Sequence, residues 1–162
     1  MNYTMPEYKR SILSAEEVHF FYYDIMHNQE NSIQCVYDWN NDIQKYLDSK
    51  GIVVEVRDIN DFPEFIEKNR ICFALDKNDK NNKAVAFFRH LRNAFAHFRI
   101  VREGEYLNIT DGGWKNKGED KYLEKTMIGL IKYKDLKELC FLFFKQGDKF
   151  IEENNYWNHC YN

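Results

Sequence analysis

The six residues from Arg92 to His97 are the part of the sequence that could carry out a chemical reaction. Histidine accepts or donates a proton near neutral pH, and the planar arginine cation matches a phosphate group. Asn93 could hold the imidazole or a sugar hydroxyl. Together these groups suit the attack of an RNA 2′-hydroxyl on its own phosphate. His97 would act as base or acid and Arg92 would stabilise the pentacoordinate state, without any metal or cofactor.

A helix has to position these groups. From Lys83 to about Phe98, apolar side chains recur at three- and four-residue steps, which predicts a helix that packs one face on a core. The predicted core stripe is Ala84, Phe87, Phe88, Leu91, Phe95 and Phe98. Arg92 and His97 lie on different sides of this helix, about 140° apart at about 100° per residue. Two copies that meet across a two-fold axis could therefore complete one site, so we expect a homodimer.

The segment Arg92–His97 resembles the R-x4-6-H motif of the HEPN superfamily, in its Arg-Asn-x-x-x-His form. The resemblance is sharpest from about Phe88 to Phe98. HEPN domains are compact helical bundles, usually dimers, and many are metal-independent endoribonucleases of toxin, abortive-infection and CRISPR systems. A hairpin that follows the motif, and then a last helix, are also similar to a plasmid-borne HEPN branch of bacteria.

The resemblance implies that Arg92 and His97 are the catalytic pair and that Asn93 supports them. Three further side chains are candidates for RNA contact: Arg89, His90 and Arg99. The implied function is a toxin- or defence-type endoribonuclease, with RNA, a second copy of the chain and an antitoxin or regulatory protein as partners. The alternative is a catalytically inactive HEPN module for RNA binding, protein interaction or dimerisation. A purely structural helical dimer is the third hypothesis.

Length and composition set the wider frame. The 162 residues suit one HEPN-like domain over 1–162, with loosely ordered ends at 1–13 and 153–162. Hydrophobic residues make up 44% of the chain, which is enough for a sizeable core. A net charge of −3 argues against a basic protein that coats nucleic acid, but allows an enzyme that meets RNA at one local patch. Without an export signal, a membrane-spanning run or paired cysteines, we expect a cytoplasmic protein.

The predicted fold is mainly α, a HEPN-like bundle with a small β-hairpin before the last helix. Ser14 to Glu17 form a capping box for a first helix that ends near Met26. Apolar spacing predicts a second helix over Ser32–Ser49, stopped by Gly51. The run Ile52–Val56 suits a short strand or an extended connector. Pro63 suits the first turn of a further helix, which could extend over Ile71–Leu75.

After the motif helix the pattern changes to alternation. Tyr106–Thr110 and Thr126–Lys132 are predicted strands of the hairpin, joined by a mobile polar loop over Asp111–Lys121. Trp114 in that loop, beside two lysines, could stack on a base, or the segment could be a plain exposed loop. A last helix is predicted from Asp135 to about Ile151.

Overall fold

The computed structural model describes residues 13–27, 36–76 and 82–154. In these ranges four α-helices cover one face of a five-stranded mixed sheet of order β1-β2-β5-β4-β3. The helices are α1 (Ala15–His19, continued as a π-helix over Phe20–Met26), α2 (Asn41–Lys50), α3 (Lys83–Ala96) and α4 (Tyr133–Asn154). The strands are β1 (Val53–Val56), β2 (Arg70–Phe73), β3 (Ile100–Glu103), β4 (Tyr106–Lys117) and β5 (Asp120–Lys132).

The sheet shows that the predicted mainly α, or all-α, fold is wrong and that the fold is α/β. β2 is a central strand that pairs parallel with β1 and antiparallel with β5, and Ile71–Phe73 is buried. The helix predicted to begin at Pro63, with a possible extension over this run, is absent, because residues 62–69 form no helix. The five apolar residues Ile71–Leu75 fit a buried strand and a helix segment equally well, so periodicity alone could not decide between them.

The hairpin is also longer than predicted. β4 has 12 residues and β5 has 13, and they pair as far as Lys117 and Asp120. The predicted loop over Asp111–Lys121 is therefore mostly a two-stranded ribbon, with a tight turn in which Gly118 has a φ of 65°. Polar composition concealed these strands, because strand propensity is weak where neither face of the ribbon is buried. β3, which follows the motif helix directly, was not predicted.

Local capping signals are confirmed. Ser14 and Glu17 form the predicted capping box at the start of α1. Gly51 ends α2 with a left-handed φ of 64°. α2 itself begins at Asn41, because the side chain of Asn40 caps its first turn. The predicted start of that helix at Ser32 lies outside the described residues, as do most of the predicted loosely ordered ends.

Aromatic side chains fill the space between the helices and the sheet. Phe88 on α3 packs edge-on against Phe143 on α4, and Phe73 on β2 contacts Phe87 on α3. The fully buried members of this core include Phe20, Phe21, Phe73, Phe87, Phe88 and Phe143. α3 is therefore held between the sheet and the other helices, and this packing decides which of its side chains face solvent.

Candidate active site

The helix that carries the motif begins at a well-formed cap. The Oδ1 atom of Asn82 accepts hydrogen bonds from the backbone amides of Ala84 (3.0 Å) and Val85 (3.1 Å). One side of α3 is buried throughout its length, as predicted for Ala84, Phe87, Phe88 and Leu91. The motif therefore lies on the last turns of a rigid, mostly buried helix.

The end of this helix differs from the prediction. The backbone amide of Arg99 donates to the carbonyl of Ala94 (2.8 Å), and that of Phe98 donates to the carbonyl of Phe95 (3.0 Å). This is the Schellman pattern, which needs a left-handed residue after the helix. Phe98 takes that position with a φ of 56°. The predicted core position of Phe98 is wrong, because the helical repeat ends before it and leaves its side chain 92% exposed.

The three motif side chains lie at the surface end of α3. Arg92 and His97 are exposed, and Asn93 is half-buried. The guanidinium of Arg92 donates to Oδ1 of Asn93 (3.1 Å). Within the described ranges, no hydrogen bond is found for the imidazole of His97, whose backbone amide donates to the carbonyl of Asn93 (3.0 Å). In the described part of the chain a hydrogen bond thus joins Arg92 to Asn93, and none joins either side chain to the imidazole of His97.

The two other arginines beside the motif have protein partners. Nη2 of Arg89 lies 3.5 Å from Oδ2 of Asp76, and Nη1 of Arg99 donates to the carbonyl of Gly112 (2.6 Å). Both side chains remain partly exposed. Their role in RNA contact stays a prediction, and the structure adds that Arg99 fixes the end of the motif segment to β4.

His90 occupies the core, where an RNA could not reach its side chain. It is 1% exposed, and its Nδ1 lies 2.7 Å from Oδ2 of Asp111 while its Nε2 lies 2.8 Å from the carbonyl oxygen of Ala74. Nη2 of Arg89 also lies 3.3 Å from this Nε2, and the carboxylate of Asp111 is 4% exposed, so the contact between imidazole and carboxylate is enclosed by protein. We call His90 and Asp111 the buried pair. It joins α3 to β4 and to the end of β2.

Sequence reasoning missed Asp111 as a partner for the motif helix. A signal was present, because Leu107, Ile109 and Asp111 alternate along β4 and therefore share its core face. A carboxylate at a core position needs a cationic or donor partner. The next residue, Gly112, is required for a separate reason, because a Cβ atom there would overlap the backbone carbonyl of Glu124.

Replacing Phe98 by glycine is expected to stabilise the protein. A residue with a side chain pays about 1 kcal/mol or more for the left-handed conformation, and glycine adopts it freely. We expect the free energy of unfolding of Phe98→Gly to rise by about 1 kcal/mol in urea denaturation. Phe98→Ala keeps the backbone penalty while removing the exposed ring, so it serves as the control. Equal stability of the glycine and alanine variants would contradict this account.

No group of three or more His, Cys, Asp or Glu side chains in 13–27, 36–76 and 82–154 could hold a metal ion. Over the same ranges, no helix has the length and apolar character needed to span a membrane.

The fold and the motif define an α/β domain with an Arg-Asn-x-x-x-His motif at the exposed end of a buried helix. The family model described as HEPN pEK499 p136 matches residues 11–155, and the chain therefore belongs to this HEPN family. The match confirms the predicted resemblance to the superfamily and to its plasmid-borne branch. Membership suggests a nuclease or RNA-related function, and RNA interaction and dimers are common among HEPN domains. Comparisons with curated proteins and with solved structures find no match.

Proposed function

We propose that the protein is a metal-independent endoribonuclease that acts as a homodimer, with Arg92 and His97 as its catalytic residues and Asn93 as their support. One observation carries the proposal. The three side chains of a HEPN motif lie at the solvent-accessible end of a helix whose opposite side is fixed in the core. A rigid helix with a reactive, accessible end is the arrangement that a preorganised site requires.

The proposed reaction is an internal transfer at one RNA phosphate. An imidazole of His97 takes the proton of the 2′-hydroxyl, whose oxygen attacks phosphorus. The bond from phosphorus to the 5′-oxygen breaks, and the imidazolium formed in the first step gives its proton to that leaving oxygen. The guanidinium of Arg92 stabilises the charge on the pentacoordinate phosphate. The products are a 2′,3′-cyclic phosphate end and a 5′-hydroxyl end.

Two features of the chain support a dimer. Among the described residues the guanidinium of Arg92 donates to Asn93 and no hydrogen bond joins it to His97, so a second copy is a natural source of the missing partner. The motif segment also ends in the exposed ring of Phe98, and the π-helix that packs on α3 through Phe21 and Phe95 exposes Tyr22 and Tyr23. Exposed aromatic side chains of this kind are enriched where proteins associate.

The surrounding partners follow from the same proposal. Arg89 and Arg99 border the motif and would contact phosphates of the RNA next to the cleaved bond. A toxin or defence role, and an antitoxin or regulatory protein as partner, rest on the resemblance to HEPN effectors.

A second candidate function is favoured by the contact between Arg92 and Asn93. Because the guanidinium already donates to Asn93, the motif could serve RNA binding or dimerisation without cleavage. The two functions differ in one product, since a binding module leaves the RNA intact.

The test is incubation of the purified protein with a mixed pool of RNA in EDTA. We expect cleavage to continue without divalent ions, and the new ends to carry a 2′,3′-cyclic phosphate and a 5′-hydroxyl. The same RNA with 2′-deoxy substitutions throughout is the matched control, since it lacks the attacking hydroxyl. Cleavage only when Mg²⁺ is added, or equal cleavage of the deoxy control, would refute the proposed reaction.

A further inference from the structure

The outer part of the long hairpin extends beyond the sheet. β3 pairs with β4 only as far as Ile109, and β2 pairs with β5 only as far as Met127. From Gly112 to Lys125 the two strands pair with each other alone, over a regular antiparallel register. We call residues 112–125 the ribbon arm. Most of its side chains are exposed.

The base of the ribbon arm is fixed beside the candidate active site. Arg99, two residues after His97, donates from its guanidinium to the carbonyl of Gly112 and accepts a backbone hydrogen bond from Thr110 (3.0 Å). A bulge between Asp111 and Gly112 sets the point where the arm begins. At about 3.3 Å per residue, Trp114 lies about 13 Å along the strand from Thr110. An extended RNA strand bound at the motif residues can therefore reach Trp114.

The two faces of the ribbon arm carry different charges. Directly opposed residues share a face, and successive residues alternate. One face, the Trp114 face, carries Gly112, Trp114, Asn116, Lys121, Leu123 and Lys125. It has two lysines and no carboxylate. The opposite face carries Gly113, Lys115, Lys117, Asp120, Tyr122 and Glu124, so its lysines are balanced by acids.

The centre of the Trp114 face combines an aromatic ring with a cation. The side chain of Trp114 is 58% exposed, and Nζ of Lys121 lies 5.5 Å from its ring centroid. Lys125 stands at the base of the same face, where its Nζ donates to the backbone carbonyl of Glu64 (3.0 Å). An accessible indole stacks on any base, and a neighbouring ammonium attracts the phosphate.

We propose that the Trp114 face of the ribbon arm binds single-stranded RNA next to the cleavage site, with Trp114 stacking on a base and Lys121 contacting a phosphate. This inference rests on the proposed ribonuclease function, whose substrate the arm would hold. RNA fits this face better than a second protein chain does. A face with one large ring, one leucine and two lysines offers little apolar area for a stable protein interface.

The experiment measures binding of a fluorescein-labelled, mixed-sequence 12-nucleotide RNA by anisotropy. The parent protein carries His97→Ala, so that the RNA is not cleaved during the measurement. Trp114→Ala is expected to raise Kd by about 5- to 100-fold, the range for loss of one stacked base. Lys121→Gln should weaken binding and lower the slope of log Kd against log salt concentration by about one.

Matched variants on the opposite face are the controls. Tyr122→Ala removes an aromatic ring and Lys115→Gln removes a charge, so each is expected to change Kd by less than about twofold. Trp114→Phe should retain most of the affinity, because a phenyl ring also stacks. Its thermal unfolding and that of Trp114→Ala, followed by circular dichroism, show that each variant is folded.

Three results would overturn the inference. These are a parent protein that does not bind the RNA, equal losses from both faces of the arm, or a Trp114→Ala protein with unchanged Kd but a smaller sedimentation coefficient. The last result would identify the arm as an interface between copies. Failure of this inference can be distinguished from failure of the proposed function, because cleavage by the wild-type protein in EDTA is measured separately. If RNA binds through Trp114 but is never cleaved by the wild-type protein, the RNA-binding role of the ribbon arm is supported and the proposed nuclease function is refuted.

Discussion

Mixing the Arg92→Ala and His97→Ala proteins is expected to restore RNA cleavage that neither protein shows alone. Each single substitution should lower the cleavage rate by about 100-fold or more, since one removes stabilisation of the phosphate charge and the other removes the proton-transfer group. The recovery depends on the dimer. If Arg92 of one protomer acts with His97 of the other, a mixed dimer retains one intact combination.

The size of the recovery can be calculated. Random exchange makes about half of the dimers mixed, and about half of the sites in each mixed dimer are intact, so we expect about one quarter of wild-type activity. The measurement is the initial rate on the same RNA in EDTA after the two proteins have exchanged subunits.

A matched mixture controls for nonspecific effects of mixing. Combining Arg92→Ala with the double variant Arg92→Ala/His97→Ala leaves no Arg92 in any dimer, so its rate should stay at the level of the single variants. If wild-type protein cleaves RNA and the first mixture gains nothing, Arg92 and His97 act within one chain. That outcome, or a wild-type protein that remains a monomer in sedimentation at assay concentrations, would contradict the shared site.

Removal of the imidazole from the buried pair is expected to have the largest effect on stability. His90→Ala leaves the carboxylate of Asp111 buried without its main partner and opens a cavity between α3 and β4. Leaving a buried carboxylate without its hydrogen-bond donor and opening a cavity together cost about 3–5 kcal/mol. We therefore expect the free energy of unfolding, measured by urea denaturation, to fall by this amount.

Two further variants test the cause of that loss. His97→Ala removes the same side chain from an exposed position and should change stability by no more than about 0.5 kcal/mol. The double variant His90→Ala/Asp111→Ala removes both hydrogen-bond partners and should lose less than the sum of the two single variants. Additive losses would show that the pair is not coupled, and a His90→Ala protein as stable as His97→Ala would refute the structural role of His90.

The features that sequence analysis predicted well are those that local signals encode. The caps at Ser14 and Gly51 and the core stripe of α3 each depend on residues within one or two turns of a helix. The motif residues Arg92, Asn93 and His97 were also found from sequence, and their position outside the predicted core stripe agrees with the exposure of Arg92 and His97 and the partial burial of Asn93. Their catalytic roles remain a proposal.

The sheet could not be predicted in the same way. β1 and β2 have four residues each, and their pairing joins Val53 to Arg70 and Ile71 to Gly129, far apart in the sequence. Likewise, the burial of His90 depends on Asp111, which lies 21 residues away on a strand that looked like a polar loop. Nonlocal pairing of this kind leaves little trace in periodicity.

The ribbon arm has a consequence for how copies of this protein avoid one another in concentrated solution. Beyond β2 and β3, no strand among the described residues pairs with the outer edge of either arm strand, so both edges present free backbone groups. Open edges of this kind recruit strands from other molecules and start fibrous aggregation. Lysines along an edge, a bulge at its base and exposed acids all oppose that association. Lys121, which we assign to RNA, is therefore also expected to limit association between the edges of neighbouring molecules.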